Sequence, residues 1–142
     1  MKKILVPVDG SENSSRALEH AVSFAKDGDS AAVTILHVID MPPTVYIESQ
    51  KLLDQLLANF REESAKVLDK YRTLAQSRGA KAVHIAVMEG DAAKTIVDYA
   101  NKGGFDLIVM GTRGLGGVKG LLLGSVSMAV IQTAKMPVMV VK

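Results

Sequence analysis

Short β-branched runs and longer stretches of helical periodicity alternate along the whole chain, and this alternation constrains the fold more than any other feature. Ile4-Leu5-Val6-Pro7-Val8 opens as a strand, apolar on both faces as a buried parallel strand should be. Asp9 to Ser15 breaks it with several helix-capping residues, after which Ala17, Leu18, Ala21, Val22 and Ala25 recur at helical spacing. Lys26-Asp27-Gly28-Asp29 stops that helix, and Ala32 to Ile39 reads as the second strand. A longer stripe follows, comprising Leu53, Leu56, Leu57, Phe60, Ser64, Val67, Leu68, Tyr71, Leu74 and Ala75, and Gly79 ends it. Val83, Ile85 and Val87 alternate with His84, Ala86 and Met88, the pattern of a half-buried or edge strand. Glu89-Gly90-Asp91 predicts a turn with Asp91 as N-cap, and Ile96, Val97 and Ala100 a short helix closed by Gly103-Gly104. Phe105 to Met110 is a buried strand, and Ser125 to Lys135 a helix with Val126, Ala129, Val130 and Thr133 inward. Pro137 to Val141 is the last strand. The order β-α-β-α-β-α-β-α-β predicts one α/β domain over residues 1–142, a doubly wound, Rossmann-like parallel sheet of five strands with helices on both faces. Right-handed crossovers place each helix over the sheet.

Composition narrows the function classes. A chain of 142 residues is the size of one domain, and 48% hydrophobic with 23% charged residues excludes a disordered chain. The net charge is +2 and the cations do not cluster, so no nucleic-acid partner is expected. Aromatic residues at 4% with no Trp offer few stacking platforms. Without cysteine there is no disulfide, thiolate metal site or Cys nucleophile, which fits a cytoplasmic protein. The first apolar run is too short for a signal peptide. No window of about 18 apolar residues occurs, so no membrane association is expected.

In open α/β sheets, ligands bind beyond the carboxyl ends of the strands. The first strand ends in Pro7-Val8-Asp9-Gly10, and the fourth in Met110-Gly111. If those strands are neighbours, they flank one crevice. Between residues 111 and 124 lie Gly111, Gly114, Gly116, Gly117, Gly120 and Gly124, six of the chain's twelve glycines. Glycine lets main-chain N–H groups approach an anion closely. Ser125 then stands as the cap of a helix, so that its hydroxyl, that of Ser127 and the free amides converge on one spot, with Arg113 and Lys119 as countercharge. The segment describes a phosphate cradle, or a flexible connector before a capped helix. It is not a P-loop, because no Gly-Lys-Ser/Thr closes it. Nor is it the dinucleotide fingerprint, whose glycines follow the first strand.

The spacing Gly111-x2-Gly114-x9-Gly124-Ser125 resembles the nucleotide-binding motif of the universal stress protein family, in its ATP-binding branch. The opening Lys3-Ile4-Leu5-Val6-Pro7-Val8-Asp9-Gly10-Ser11, Gly90-Asp91 before a helix, Phe105 to Gly111, and the ending Met136 to Val141 are similar to that family as well, so the resemblance spans the chain. It implies strand order 3-2-1-4-5 with ATP between strands one and four. Pro7, Val8 and Asp9 would line the adenosine side, with Asp9 at the ribose hydroxyls or near a phosphate-bound Mg2+. Val38 would offer main-chain bonds to adenine. Met110, Gly111, Arg113 and Gly114 would begin the phosphate wall, and Gly124, Ser125, Val126 and Ser127 would complete it. The resemblance also implies a homodimer, paired through the strand 137–141.

On the residues themselves, Asp9 reads equally as a turn or helix cap, and Asp106 lies at the wrong end of its strand for catalysis. His20, His37 and His84 lack the spacing of a metal site or a partnered base, so no metal-ligating or catalytic residue is assigned. The irregular stretch from Asp40 to Ser49, with Met41, Pro42, Pro43 and Tyr46, is a candidate lid or partner surface. The expected function is that of an ATP-binding regulatory protein of the stress response, a dimeric nucleotide-dependent switch read by a protein partner. A slow ATPase or autokinase at the same site is the enzyme alternative, with Thr112, Ser125 and Ser127 as possible acceptors. No Glu or Gln falls between Gly111 and Val130 to position a water. A flavin or AMP in the same fold, and a purely structural dimer, are further alternatives.

Overall fold

The computed structural model describes residues 2–27, 31–40, 49–112 and 123–142. Its elements follow the order β1 (Lys2–Val8), α1 (Glu12–Asp27), β2 (Ala31–Asp40), α2 (Gln50–Ser77), β3 (Ala82–Gly90), α3 (Ala92–Gly103), β4 (Leu107–Gly111), α4 (Ser125–Thr133) and β5 (Val138–Val141). The sheet is all-parallel in the order β3-β2-β1-β4-β5, as the family resemblance implies. The long loop after β2 and the glycine-rich segment 113–122 lie outside the described residues.

Alternation along the strands builds two cores. Ile4, Val6 and Val8 of β1 with Val33 and Ile35 of β2 face α1 and α2, meeting Ala17, Leu18, Ala21, Val22, Leu68, Tyr71 and Ala75. Leu5, Leu36, Ile108 and Met110 point the other way, onto Ile96, Val97 and Ala100 of α3 and Val130 of α4. A strand buried on both faces needs no polar residues, which is why β1 reads as a continuous apolar run. β3 is an edge strand with His84 and Met88 exposed, as its alternation predicts.

Two parts of the helical patterning differ from expectation. The stripe of α2 is fully buried only at Ser64, Leu68, Tyr71 and Ala75, while Phe60 is 41% exposed. A helix of 28 residues is about 42 Å long, against about 33 Å for the ten residues of β2, so its first turns outrun the sheet. Thr133 is exposed rather than inward, and its hydroxyl donates back to Ala129 O at 2.7 Å. Asp91 caps α3 as expected, accepting the Lys94 N–H at 3.0 Å, and Gly104 ends that helix in the left-handed conformation at φ 65°.

The amino edge of the sheet is closed by Asp106, which accepts the Lys3 N–H at 2.8 Å. Lys3 Nζ lies over the Phe105 ring and donates to Gly103 O. Asp106 is therefore structural and remote from the carboxyl ends, as its position in the sequence indicated.

Candidate functional site

The carboxyl ends of β1 and β4 are adjacent at the point where the strand order reverses, the place where α/β sheets hold ligands. Their separation there has a chemical cause. β1 and β2 stay in register as far as Val8 and His37, whereas β1 and β4 pair at Ile4–Leu107 and Leu5–Ile108 and no further. Lys3 O accepts the Asp106 N–H at 2.9 Å, so Lys3 turns its main chain toward the β4 side. Successive residues of a strand alternate in this respect, which puts Leu5 and Pro7 on the same edge. Pro7 has no N–H to donate, so the ladder ends there and the strands part.

The turn after β1 carries Asp9. Its Oδ1 accepts the Ser11 N–H at 2.9 Å, and Gly10 sits at φ 88°, where a side chain would be strained. Ser11 Oγ accepts the Ser14 N–H at 3.2 Å and so caps α1. Asp9 therefore forms the turn after β1, and its carboxylate is exposed at the carboxyl end of that strand.

Across the crevice, Met110 is buried among the residues facing α3 and α4. Gly111 has a packing role: a Cβ there would meet Asn13 Cβ at 2.8 Å, Asn13 C at 3.0 Å and Ser14 N at 3.2 Å. The first turn of α1 lies directly on it. Thr112 continues the strand edge, donating its N–H to Val141 O at 2.9 Å.

The helix cap differs from expectation by one residue. Gly124 is the N-cap of α4, with φ −77° and ψ 168°, and brings no side chain to cap the helix; Ser125 is the first helical residue and is exposed. The Gly124 N–H is held by Thr112 O at 2.6 Å, which fixes the start of α4 against the end of β4. Ser127 is buried, and its hydroxyl donates to Thr112 O at 2.8 Å, so its proton serves the helix–strand joint. Val126 packs its side chain into the core facing α3 and α4. Arg113 and Gly114 lie outside the described residues.

On the far lip, Val38 follows the last β1–β2 pair and packs its side chain beside Leu36. Its neighbour His37 points to the opposite face and hydrogen-bonds Ser64 Oγ through Nδ1 at 2.7 Å. Burial pushes the His37 imidazole below its ordinary value of 6.5, opposed by the Asp9 carboxylate. The folded state therefore holds that proton less tightly than the unfolded chain. Above pH 6.5 both states leave His37 neutral and its contribution to stability is flat; below it the unfolded chain protonates first, and stability falls. Denaturant midpoints at pH 7.5 and 5.5 are expected to show this fall in the native protein and a smaller one in His37→Gln. An equal fall in both would discount His37. In the sequence this histidine stands only among three that lack the spacing of a metal site or a partnered base. Its partner Ser64 sits 27 residues away, and only the tertiary structure pairs them.

Among the described residues, no group of three His, Asp or Glu side chains is placed to hold a metal ion. No helix among them is long and apolar enough to cross a membrane.

Comparison with known proteins gives a consistent result. The profile of the universal stress protein family matches residues 1–142. The universal stress protein MJ0531 of Methanocaldococcus jannaschii is 40% identical over 141 residues, covering 99% of this chain and 82% of that protein. The structure of the universal stress protein UspA from Lactobacillus plantarum superposes with a TM-score of 0.87 at 27% identity, covering 99% of this chain and 97% of that one. A universal stress protein solved in complex with cAMP has a TM-score of 0.73 at 25% identity, covering 99% and 96%.

Proposed function

Because this chain belongs to the universal stress protein family, we propose that it is an ATP-binding regulatory protein of the stress response. The observation that carries the reading is the start of α4. A nine-residue helix begins at a glycine, without a side-chain cap, beside the parted ends of β1 and β4. A helix N-terminus left open in this way offers unpaired N–H groups and partial positive charge, which suit a phosphate. The cAMP complex of a relative supports an adenine nucleotide as the class of ligand.

In this reading Pro7, Val8 and Asp9 line the nucleoside side, with Val38 at the base, and Gly111, Gly124, Ser125 and Val126 face the phosphates. Arg113 and Gly114 belong to the same wall by sequence. The residues present fit Mg2+ only as a companion of the nucleotide: Asp9 is the carboxylate that follows β1 among the described residues, and phosphate oxygens would supply the other ligands. Bound there, the ion would neutralise phosphate charge. The regulatory reading is preferred to an ATPase because no Asp, Glu or Gln occurs from Gly111 to Val130 to orient a water. The homodimer is part of the same proposal: β5 is an apolar edge strand, Val138–Val141, open to pairing with a second copy.

Untreated purified protein, denatured and stripped of polypeptide, is expected to release ATP or ADP at about one per chain on chromatography and mass spectrometry. An empty protein that also fails to titrate with Mg·ATP in a calorimeter would refute nucleotide binding.

A further inference from the structure

The turn that carries Asp9 is held by one buried side chain of α2, the helix that shares a face of the sheet with α1. Tyr71 of α2 is 5% exposed, and its hydroxyl accepts the Gly10 N–H at 3.0 Å. The same hydroxyl lies 2.7 Å from Ser14 Oγ. Ser14 Oγ donates its single proton to Ser11 O at 2.9 Å, so in this pair Tyr71 is the donor. The bonds therefore run in one direction: Gly10 N–H to Tyr71, Tyr71 to Ser14, Ser14 to the Ser11 carbonyl. The chain begins and ends on the Asp9-Gly10-Ser11 turn, and the Ser11 N–H within it fixes Asp9 Oδ1. Fully satisfied buried networks of this kind hold one geometry and are costly to leave half made.

The bond to Gly10 has a second effect. Strand alternation turns the main chain of Val38 toward β1, one residue past the Val8–His37 pair. Were β1 to continue, the Gly10 N–H would be the group to meet the Val38 carbonyl. Tyr71 takes that N–H instead, at a glycine whose φ of 88° already turns the chain out of the sheet. One hydroxyl thus bonds the turn that carries Asp9 at the residue where β1 leaves β2.

We infer that Tyr71 is a positioning residue for the nucleotide site: its hydroxyl, through Gly10 and Ser14, holds the Asp9 turn in its ligand-binding geometry. The inference rests on the nucleotide-binding reading above. Tyr71→Phe keeps the ring in the core and removes only the hydroxyl. It is expected to weaken Mg·ATP about tenfold by calorimetry, the scale of one buried hydrogen bond. Gly10 amide exchange in the nucleotide-free protein is expected to quicken. In an Asp9→Ala background, Tyr71→Phe is expected to cost less than about threefold further, because the group it positions is gone. Ser14→Ala breaks the next link, with the ring untouched, and is expected to move affinity in the same direction.

Native affinity in Tyr71→Phe and Ser14→Ala, with faster Gly10 exchange, would overturn the inference and leave the site intact. Equal losses in the native and Asp9→Ala backgrounds would also overturn it, since a merely structural role acts alike in both. Native protein that binds no Mg·ATP would instead remove the nucleotide reading on which the inference stands.

Discussion

Valine at position 124 is expected to weaken Mg·ATP about a hundredfold or more, measured by calorimetry, while the protein stays folded. The backbone at Gly124, φ −77° and ψ 168°, is one that any residue adopts, so Gly124→Val introduces no dihedral strain. Nor does it delete a side-chain cap, because glycine has no side chain to cap α4. The stability cost is expected to be about 1 kcal/mol, because valine is a poorer N-cap than glycine, and a loss of affinity beyond that reports on space beside the helix amides. A branched side chain there would stand between those amides and a phosphate. Native affinity in a folded Gly124→Val protein would remove the phosphate from this end of the helix.

Gly111→Ala is expected to act the other way round, on the fold first. Its Cβ would press on the backbone of Asn13 and Ser14 at 3.0 and 3.2 Å, and on Asn13 Cβ at 2.8 Å. Backbone in a helix start cannot rotate aside as a long side chain can, so α1 must shift on the sheet. Overpacking of this kind costs about 2 kcal/mol, a fall in Tm of about 5–10 °C for a domain of this size. Because the displaced turn includes Ser11 and Ser14, affinity for nucleotide is expected to fall with stability. A thermal melt of Gly111→Ala matching the native one would show that α1 yields without cost. The pair of substitutions separates two duties that a glycine motif merges: Gly111 admits a helix, and Gly124 leaves a helix end open.

Much of the candidate site was visible beforehand because its residues sit at strand ends, and strand ends follow from apolar periodicity. Pro7, Asp9, Met110 and Gly111 occupy the places that the alternation assigns them. The cap of α4 was misplaced by one residue for a local reason: serine is the stronger N-cap by propensity, but Gly124 is held to Thr112 by main-chain bonding that no propensity encodes. The periodicity of α2 reports which face of the helix is apolar. It does not report where the sheet beneath that face ends.

The sequence by itself determined the number, kind and order of elements, the two-sided burial of β1, and the family to which the chain belongs. Those are set by residue type and spacing along the chain, where periodicities of two and 3.6 differ plainly. Only the tertiary structure decided which distant hydroxyls meet the site. Tyr71 and Ser64 lie on a helix that crosses the far side of the sheet, 61 and 27 residues from Gly10 and His37. A side chain's hydrogen bond depends on position to within a few tenths of an ångström, and that follows from how α2 packs on β1 and β2, not from the spacing of its own residues.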